Sequence, residues 1–204
     1  MEKPSRQRRS SLNAAQTRKE RSHERIETAA ARLFGREGLR GATVRKIMAA
    51  AGMTNGGFYA HFPSKDRLFC NAFSRAAREK RRELAEELGT ARGQGYIERF
   101  LRAYLTPDHR DNLPGSCPYS ALLSELPRCG KTLRARVRQE FASGVKAFAE
   151  RVDASEPSEA RRKAILTLCL SFGALAMSRT LAGYPEADEL LSVASAASKY
   201  WRIS

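Results

Sequence analysis

Residues 43–69 read TVRKIMAAAGMTNGGFYAHFPSKDRLF, and their apolar side chains recur at the spacing of two short helices. Thr43 is a typical N-cap for the first helix, and Gly52 marks its end because glycine tolerates the backbone conformation that follows a helix. Thr54 is a second N-cap, and Pro63 ends the second helix because the residue before a proline disfavours helical geometry. The stretch therefore predicts a helix, a tight turn and a second short helix, which is a helix-turn-helix unit.

Helical periodicity continues on both sides of this stretch. Upstream, apolar residues at helical spacing predict a helix from about Lys19 that Gly38 ends. These apolar positions are Ile26, Ala29, Ala30, Leu33 and Phe34. Downstream, Ser64 caps a predicted long helix that runs to about Leu88. Residues 1–17 are basic and contain few apolar side chains, so they predict a disordered arm.

The remainder of the chain also predicts helices, and no segment has the apolar alternation of a β-strand. Glycines between residues 89 and 95 mark a break. Predicted helices follow at 96–105, 119–126, 132–152, 158–181 and 187–202, with a loop at 107–118. The sequence thus predicts an all-α protein of about nine helices in four parts: a basic arm at 1–17, a helix-turn-helix domain at 18–63, a connecting helix at 64–88 and a larger helical domain at 89–204.

The charge of the chain points to a polyanionic partner. The formal net charge is +15, and residues 1–83 hold 20 lysines and arginines against 8 acidic residues. A solvated basic face or a membrane surface would also fit this charge, but the helix-turn-helix lies inside the basic region and favours DNA. The sequence has no uncharged apolar run of membrane-spanning length and no secretory signal. We therefore expect a cytoplasmic protein that does not bind membranes.

Catalytic and metal-binding patterns are missing from the sequence. The four cysteines do not form a Cys-x-x-Cys pair, and the three histidines lack ligand spacing. No Ser-His-Asp grouping, P-loop or dinucleotide fingerprint is present. We therefore expect no enzymatic activity, no metal and no cofactor. Cys117 lies close to a predicted helix start, which would lower its pKa and make it reactive, although most single cysteines are inert small apolar residues.

Candidate DNA contacts follow from the helix-turn-helix itself. A recognition helix of two turns can enter the major groove of DNA, where Asn55 could pair with adenine and Arg45 with guanine. Arg45 could equally contact a phosphate. Thr43 and Thr54 place hydroxyls and free amides at helix N-termini, where phosphates bind. The basic arm could also reach a minor groove through Arg6, Arg8 and Arg9.

The adjacent glycines Gly56 and Gly57 lie in the predicted recognition helix, where each costs about 1 kcal/mol in helix propensity. One explanation is close approach of the backbone to DNA, because glycine has no side chain to clash. The other is that the two glycines relieve crowding against the first helix.

The stretch closely resembles the DNA-binding signature of the tetracycline-repressor family, also called TetR/AcrR-type regulators. The matching residues are Thr43, Val44, Ile47, Ala51, Gly52, Tyr59, His61, Phe62, Lys65 and Leu68. The resemblance covers residues 19–80 well and implies that Tyr59, His61 and Lys65 contact phosphates. Family members more often carry one small and one polar residue at 56–57, so fewer direct base contacts are expected here.

The resemblance also implies that the C-terminal helices bind a small-molecule effector and form a homodimer. Candidate pocket residues are Phe100, Tyr104, Leu122, Leu123, Phe141, Phe148, Phe172 and Met177. The last two helices are expected to pack against their symmetry mates, with small residues such as Ala174, Ala187 and Ala194 allowing close approach and with Leu191, Val193 and Trp201 supplying apolar area. The expected function is a transcriptional repressor that an effector releases from double-stranded operator DNA. A cysteine-based sensor of electrophiles or oxidants, and a non-specific DNA-coating protein, are the alternatives.

Overall fold

The computed structural model describes residues 6–154 and 156–200, with side chains from Gln16 onward. These residues form ten α-helices, three short 3₁₀ turns and no strand, so the all-α prediction is confirmed with one helix more than expected. The helices are α1 Arg6–Gly41, α2 Val44–Ala50, α3 Phe58–His61, α4 Lys65–Leu88, α5 Gly93–Tyr104, α6 Pro107–Asp111, α7 Pro118–Leu122, α8 Lys131–Ala149, α9 Pro157–Thr180 and α10 Pro185–Ser195. None of the helices in this part of the chain is long and apolar enough to cross a membrane.

Local capping fixes the helix-turn-helix as the sequence predicts. The Thr43 hydroxyl accepts a hydrogen bond from the Lys46 amide at 3.3 Å, which caps α2. The Ser64 hydroxyl accepts one from the Arg67 amide at 3.1 Å, which caps α4. The guanidinium of Arg25 donates to the Ala51 carbonyl at 2.6 Å and so ties α1 to the end of α2. The apolar residues of α1, α2 and α3 form the core of this domain, namely Ile26, Ala30, Phe34, Ile47, Met48, Phe58 and Phe62.

The first helix is longer than the sequence predicts. It begins at Arg6, so the disordered-arm prediction is wrong for residues 6–17, while residues 1–5 lie outside the described part. No proline or glycine interrupts the chain between Pro4 and Gly35, and most residues there are good helix formers. The helix is interrupted at the predicted stop, Gly38, whose φ of 69° and ψ of −178° are not helical. The predicted minor-groove residues Arg6, Arg8 and Arg9 precede Gln16, so their side chains are outside the described part of the structure.

Prolines start several helices in the second half, in segments that lie outside the helices predicted from the sequence. Pro107 begins α6 inside the predicted loop at 107–118, and Pro118 and Pro185 begin α7 and α10. Proline suits the first helical position because its missing N–H would have no intrahelical partner there. The last predicted helix is also shorter, since α10 ends at Ser195 and a 3₁₀ turn at Ala197–Tyr200 follows.

Helix α4 joins the two halves of the chain. It packs against α1 at its N-terminal half and against α5, α7 and α8 further along. Its buried face carries Leu68, Phe69, Phe73, Ala77, Leu84 and Leu88. Helix α4 is therefore one of the connections between the helix-turn-helix domain and the second half of the chain.

Candidate nucleic-acid interface and ligand cavity

Most of the predicted DNA contacts are exposed on the helix-turn-helix. Six of the nine residues have exposed side chains or backbone, namely Thr43, Arg45, Thr54, Asn55, Gly56 and Tyr59. The side chains of Arg45 and Asn55 make no hydrogen bond or ion pair with other described residues, so their donors are free to bind another molecule. The Thr54 hydroxyl also makes no capping hydrogen bond, in contrast to the prediction, although Thr54 does occupy the N-cap position.

The neighbouring rings of Phe58 and Tyr59 touch edge to face at a centroid distance of 5.1 Å but differ in exposure. Phe58 is fully buried and packs beside Phe62, whereas Tyr59 is 76% exposed. Helix α3 has only four residues, and a helix this short is unstable without tertiary packing. Phe58 therefore anchors α3, and this anchor is what projects Tyr59 away from the protein.

Neither glycine of the Gly56–Gly57 pair is required by the packing of the domain. A Cβ added to Gly56 would meet no atom within 4 Å, and one added to Gly57 would lie 3.7 Å from Cε of Met48. Neither residue has a positive φ. The explanation by crowding against the first helix is therefore wrong, and close approach to DNA is the remaining reason from the sequence analysis.

His61 and Lys65 are half-buried rather than exposed. The ammonium of Lys65 donates to the Leu39 carbonyl at 2.6 Å, which satisfies a carbonyl in the last turn of α1. Burial lowers the pKa of His61, and the nearby His23 lowers it further. The Nδ1 atom of His61 is buried and has no hydrogen-bond partner.

One face of α1 carries a row of arginines that was not predicted from the sequence as a functional feature. Arg21, Arg25, Arg32 and Arg36 line an open groove that runs beside residues 49–52 of the helix-turn-helix, together with Arg75 of α4. Their spacing of four, seven and four residues places them on one helix face. This regular spacing is the signal that the sequence offered.

A cavity of about 280 Å³ lies between α4, α5, α8 and α9 in the second half. Five of the eight predicted pocket residues line it: Phe100, Tyr104, Phe141, Phe148 and Phe172. Tyr96 and Tyr119 also line the cavity and were missed.

The other three pocket predictions are wrong. Leu123 is 43% exposed and Met177 is 51% exposed, and neither borders the cavity. Leu122 is buried, but it packs beside Phe34 where α7 meets α1. Apolar side chains at helical spacing face several different neighbours in a helical bundle, so spacing alone cannot select the ones that face a cavity.

Cys117 lines the cavity but lacks the environment of a reactive thiol. Its side chain is 4% exposed, and burial raises the pKa of the thiol, whereas the sequence analysis expected a lowered pKa. The residue sits directly before α7, but the effect of its burial exceeds that of its helix-start position.

We expect iodoacetamide to label Cys117 in the folded protein at least about tenfold more slowly than after unfolding, because the thiolate is the attacking form. Mass spectrometry of the peptide that contains Cys117, sampled over time with and without denaturant, measures this ratio. Equal labelling rates in the folded and unfolded protein would contradict this expectation and would favour the alternative of a cysteine-based sensor.

His109 is held in one neutral form beside the cavity. Its Nε2 accepts from the Cys117 amide at 3.2 Å, so its Nδ1 carries the proton and donates to the Tyr104 carbonyl at 2.8 Å. Burial lowers the pKa of His109 to about 4. The guanidinium of Arg179 donates to the carbonyls of His109 and Arg110, at 2.8 and 3.0 Å, and fixes α6 to α9.

The lowered pKa of His109 predicts acid sensitivity. The unfolded chain binds a proton near pH 6.5, whereas the folded chain resists protonation until about pH 4. The free energy of unfolding should therefore be highest above pH 6.5 and fall by up to about 3 kcal/mol as the pH drops toward 4. Urea unfolding at several pH values measures this loss, and His109→Gln should show a shallower pH dependence. An identical dependence in both proteins would contradict the assignment.

An exposed helix-turn-helix on an all-helical chain defines a DNA-binding protein of the helix-turn-helix class. Residues 26–71 match the family described as bacterial regulatory proteins, tetR family. Among solved structures, a TetR transcriptional regulator from Chloroflexus aurantiacus is similar with a TM-score of 0.73 and 29% identity over 90% of this chain and 96% of that one. TetR-family regulators from Cytophaga hutchinsonii and Agrobacterium tumefaciens share the fold.

The Cytophaga regulator has a TM-score of 0.72 and 18% identity over 92% of this chain and 98% of that one. The Agrobacterium regulator has a TM-score of 0.68 and 21% identity over 87% and 95% of the two chains. No curated protein sequence matches the chain significantly. The family match at the helix-turn-helix and the likeness of nearly the whole chain confirm the resemblance seen in the sequence: the protein is a transcriptional regulator of the TetR family.

Proposed function

We propose that this regulator is a repressor, that it binds operator DNA as a homodimer, and that a small-molecule effector in the cavity releases it. The main observation in support of this proposal is that α4 contacts both domains. It packs against α1 of the helix-turn-helix domain and also lines the cavity through Ala77, Arg81 and Leu84. A ligand that displaces the cavity walls would move α4 and change the position of the recognition helix. We assign the parts with the bounds expected from the sequence: a DNA-binding domain at 18–63, a connecting helix at 64–88, and a ligand-binding and dimerisation domain at 89–204.

The DNA contacts are assigned by exposure and chemistry. Asn55 and Arg45 are proposed to contact base edges, and Thr43, Thr54 and Tyr59 to contact phosphates. His61 and Lys65 are proposed as partial phosphate contacts, because both are half-buried. Lys65 keeps further N–H donors beside the one that Leu39 accepts. Gly56 and Gly57 let the recognition helix approach the groove.

A second contact links the two halves near the cavity-lining helix α7. The carboxylate of Glu125, three residues after α7, accepts a hydrogen bond from the Leu39 amide at 3.0 Å. Gly38 beside it has a positive φ, and a Cβ there would overlap the Glu125 carboxylate. Movement of α7, whose Tyr119 lines the cavity, would therefore also reach the end of α1.

The homodimer is supported by an apolar stripe on the outer surface of α9 and α10. On α9, the stripe recurs at helical spacing through Leu166, Cys169, Leu170, Gly173 and Met177, all exposed or half-buried. Val193 continues it on α10. A second copy would cover this stripe as a four-helix bundle and would place two recognition helices on one face of DNA.

Several residues expected at this interface have another role. Ala174, Ala187, Ala194 and Leu191 are buried within the chain, where α9 packs against its own α10. Trp201 lies outside the described residues.

Selection from a random DNA pool at fixed physiological salt tests the proposed function. A repressor of this kind should enrich a palindromic site and bind it about a thousandfold or more above random DNA. Uniform binding across the pool would instead support a non-specific DNA-coating protein, which the basic N-terminal half would also allow.

A further inference from the structure

We propose that the cavity takes a flat aromatic compound of one or two rings that carries a single negative charge, with Arg81 as the anchor for that charge. The inference rests on the proposed role of the cavity as the effector site and adds the chemical class of the ligand. Three observations support it: the volume of the cavity, the arrangement of its aromatic walls, and the hydrogen bonding between the half-buried Arg81 and the buried Glu140.

The volume of the cavity limits the ligand to a small molecule. At about 280 Å³ it lies just below the range of about 300–1,000 Å³ that is common for small-molecule sites. An apolar protein cavity of about 150 Å³ is known to hold benzene. The cavity therefore has room for one or two fused rings and a small substituent.

The walls are planar and rigid. The rings of Tyr119 and Phe172 stack with a centroid distance of 4.8 Å and an interplanar angle of 5°. Phe148 meets Phe100 edge to face at 4.9 Å and 87°. Aromatic rings attract one another in offset-stacked and edge-to-face arrangements, so these walls offer both kinds of contact to a further ring. A flexible alkyl chain would gain less from the same surfaces.

The charge preference follows from the pair formed by Arg81 of α4 and Glu140 of α8. One Nη of Arg81 donates to the Glu140 carboxylate at 2.9 Å, and the other donates to the Glu140 carbonyl at 3.3 Å. A guanidinium has five N–H donors, so Arg81 can bind an anion without releasing Glu140. A cation would either lie beside the positive charge of Arg81 or compete with Arg81 for the buried Glu140 carboxylate, and both are unfavourable.

The other ionisable groups around the cavity also favour a negatively charged ligand. Lys80 and Arg151 add two positive charges to the lining of the cavity. Its carboxylates are Glu140 and Glu150, and Glu150 is exposed. Lys80 pairs with Glu83 at 2.7 Å and also lines a second groove beside His109. Arg151 donates to the carbonyls of Gly89 and Ala91 and lies over the Tyr96 ring at 5.5 Å, so we assign the anchor to Arg81. Burial raises the pKa of Tyr96, Tyr104 and Tyr119, so these phenols remain neutral and add no negative charge at neutral pH.

Calorimetric titration of the full chain with four matched compounds tests the class. The compounds are 2-naphthoate, its neutral amide 2-naphthamide, the cationic 2-naphthylmethylamine and the aliphatic anion octanoate. We expect 2-naphthoate to bind at least about tenfold more tightly than each of the others. Equal or tighter binding of the amide or the amine would overturn the charge assignment. Equal binding of octanoate would overturn the aromatic assignment, and no binding of any compound would overturn both.

A pair of variants tests the anchor. The double variant Arg81→Gln with Glu140→Gln removes both charges together, which avoids leaving one buried charge without its partner. We expect its affinity for 2-naphthoate to fall at least about tenfold, to the level of the amide. Arg82→Gln is the matched control, because Arg82 is the exposed neighbour on the same helix, and its affinity should not change. Wild-type affinity in the double variant would overturn the role of Arg81.

Release of operator DNA is measured separately and distinguishes the two proposals. If 2-naphthoate binds as expected but leaves the operator complex intact, the ligand class holds and the proposed release by cavity ligands fails. If an unrelated compound releases the operator by binding in the cavity while 2-naphthoate does not bind, the proposed function holds and the ligand class fails.

Discussion

Leu166→Glu is expected to convert the protein into a monomer and to lower its affinity for operator DNA at least about a hundredfold. Leu166 is 46% exposed at one end of the apolar stripe on α9, so the new carboxylate is hydrated in the single chain and the fold is retained. In a two-fold dimer the same substitution occurs twice in one interface, where each charge would lose its hydration without gaining a partner. A monomer cannot hold two recognition helices at the spacing of two half-sites.

Sedimentation equilibrium measures the oligomeric state, and fluorescence anisotropy with a labelled operator measures affinity. Leu123→Glu is the matched control, because Leu123 has nearly the same exposure, 43%, but lies outside the stripe. It should remain a dimer with wild-type affinity. The thiol of Cys169, which is exposed in the single chain, should be protected in the dimer and react rapidly in the Leu166→Glu variant. A dimeric Leu166→Glu protein would move the interface away from α9.

The sequence predicted features that short-range chemistry controls. Capping by Thr43 and Ser64 depends on a hydroxyl three residues before an open amide, and the structure has both hydrogen bonds. The difference in exposure between Phe58 and Tyr59 follows from one apolar and one amphipathic ring next to each other on a short helix. Such features need no knowledge of distant parts of the chain, and this is why the helix-turn-helix was the most predictable region.

Features that depend on distant contacts escaped prediction. Pro107, Pro118 and Pro185 start helices, and a proline that starts one helix has the same local sequence signal as one that ends another. Cys117 is buried because it lines a cavity whose walls come from α4, α5, α8 and α9, so its thiol could not be judged from its sequence neighbours. Lys65 is half-buried because its ammonium binds the Leu39 carbonyl, which lies in the last turn of α1 and 26 residues earlier in the sequence.

The cavity illustrates the same limit. Met177 and Phe172 lie on the same helix, but Phe172 lines the cavity and Met177 lies on the apolar stripe. Both faces of α9 are apolar because one packs inside the chain and the other is proposed to meet a second copy. Apolar periodicity predicts that a helix face is covered. It does not show whether that face is covered by a ligand, by another helix of the same chain or by a second protein chain.

Gly56→Leu is expected to raise thermal stability slightly while it lowers operator affinity about tenfold to a hundredfold. A Cβ at Gly56 meets no atom within 4 Å, and φ at this position is not positive, so leucine fits without strain. Gly56 lies in the 3₁₀ turn Asn55–Gly57 before α3, and replacing a glycine at a compatible position gains about 0.4–1 kcal/mol by reducing the conformational entropy of the unfolded chain. If the recognition helix approaches DNA closely at this point, the larger side chain prevents that approach. The contacts with at least one base pair are then lost, which costs about 1–3 kcal/mol of binding free energy.

The opposite signs of these two effects make Gly56→Leu a direct test of why the glycine is present. Thermal unfolding and operator binding are measured on the same preparation, so a folding defect cannot imitate a loss of DNA contact. Gly95→Leu is the control, because Gly95 lies in α5, also has no atom near a Cβ, and is remote in sequence from the helix-turn-helix. It should leave operator affinity unchanged. Unchanged affinity in Gly56→Leu would mean that DNA does not approach the backbone there, and the reading of bases would rest on Asn55 and Arg45 alone.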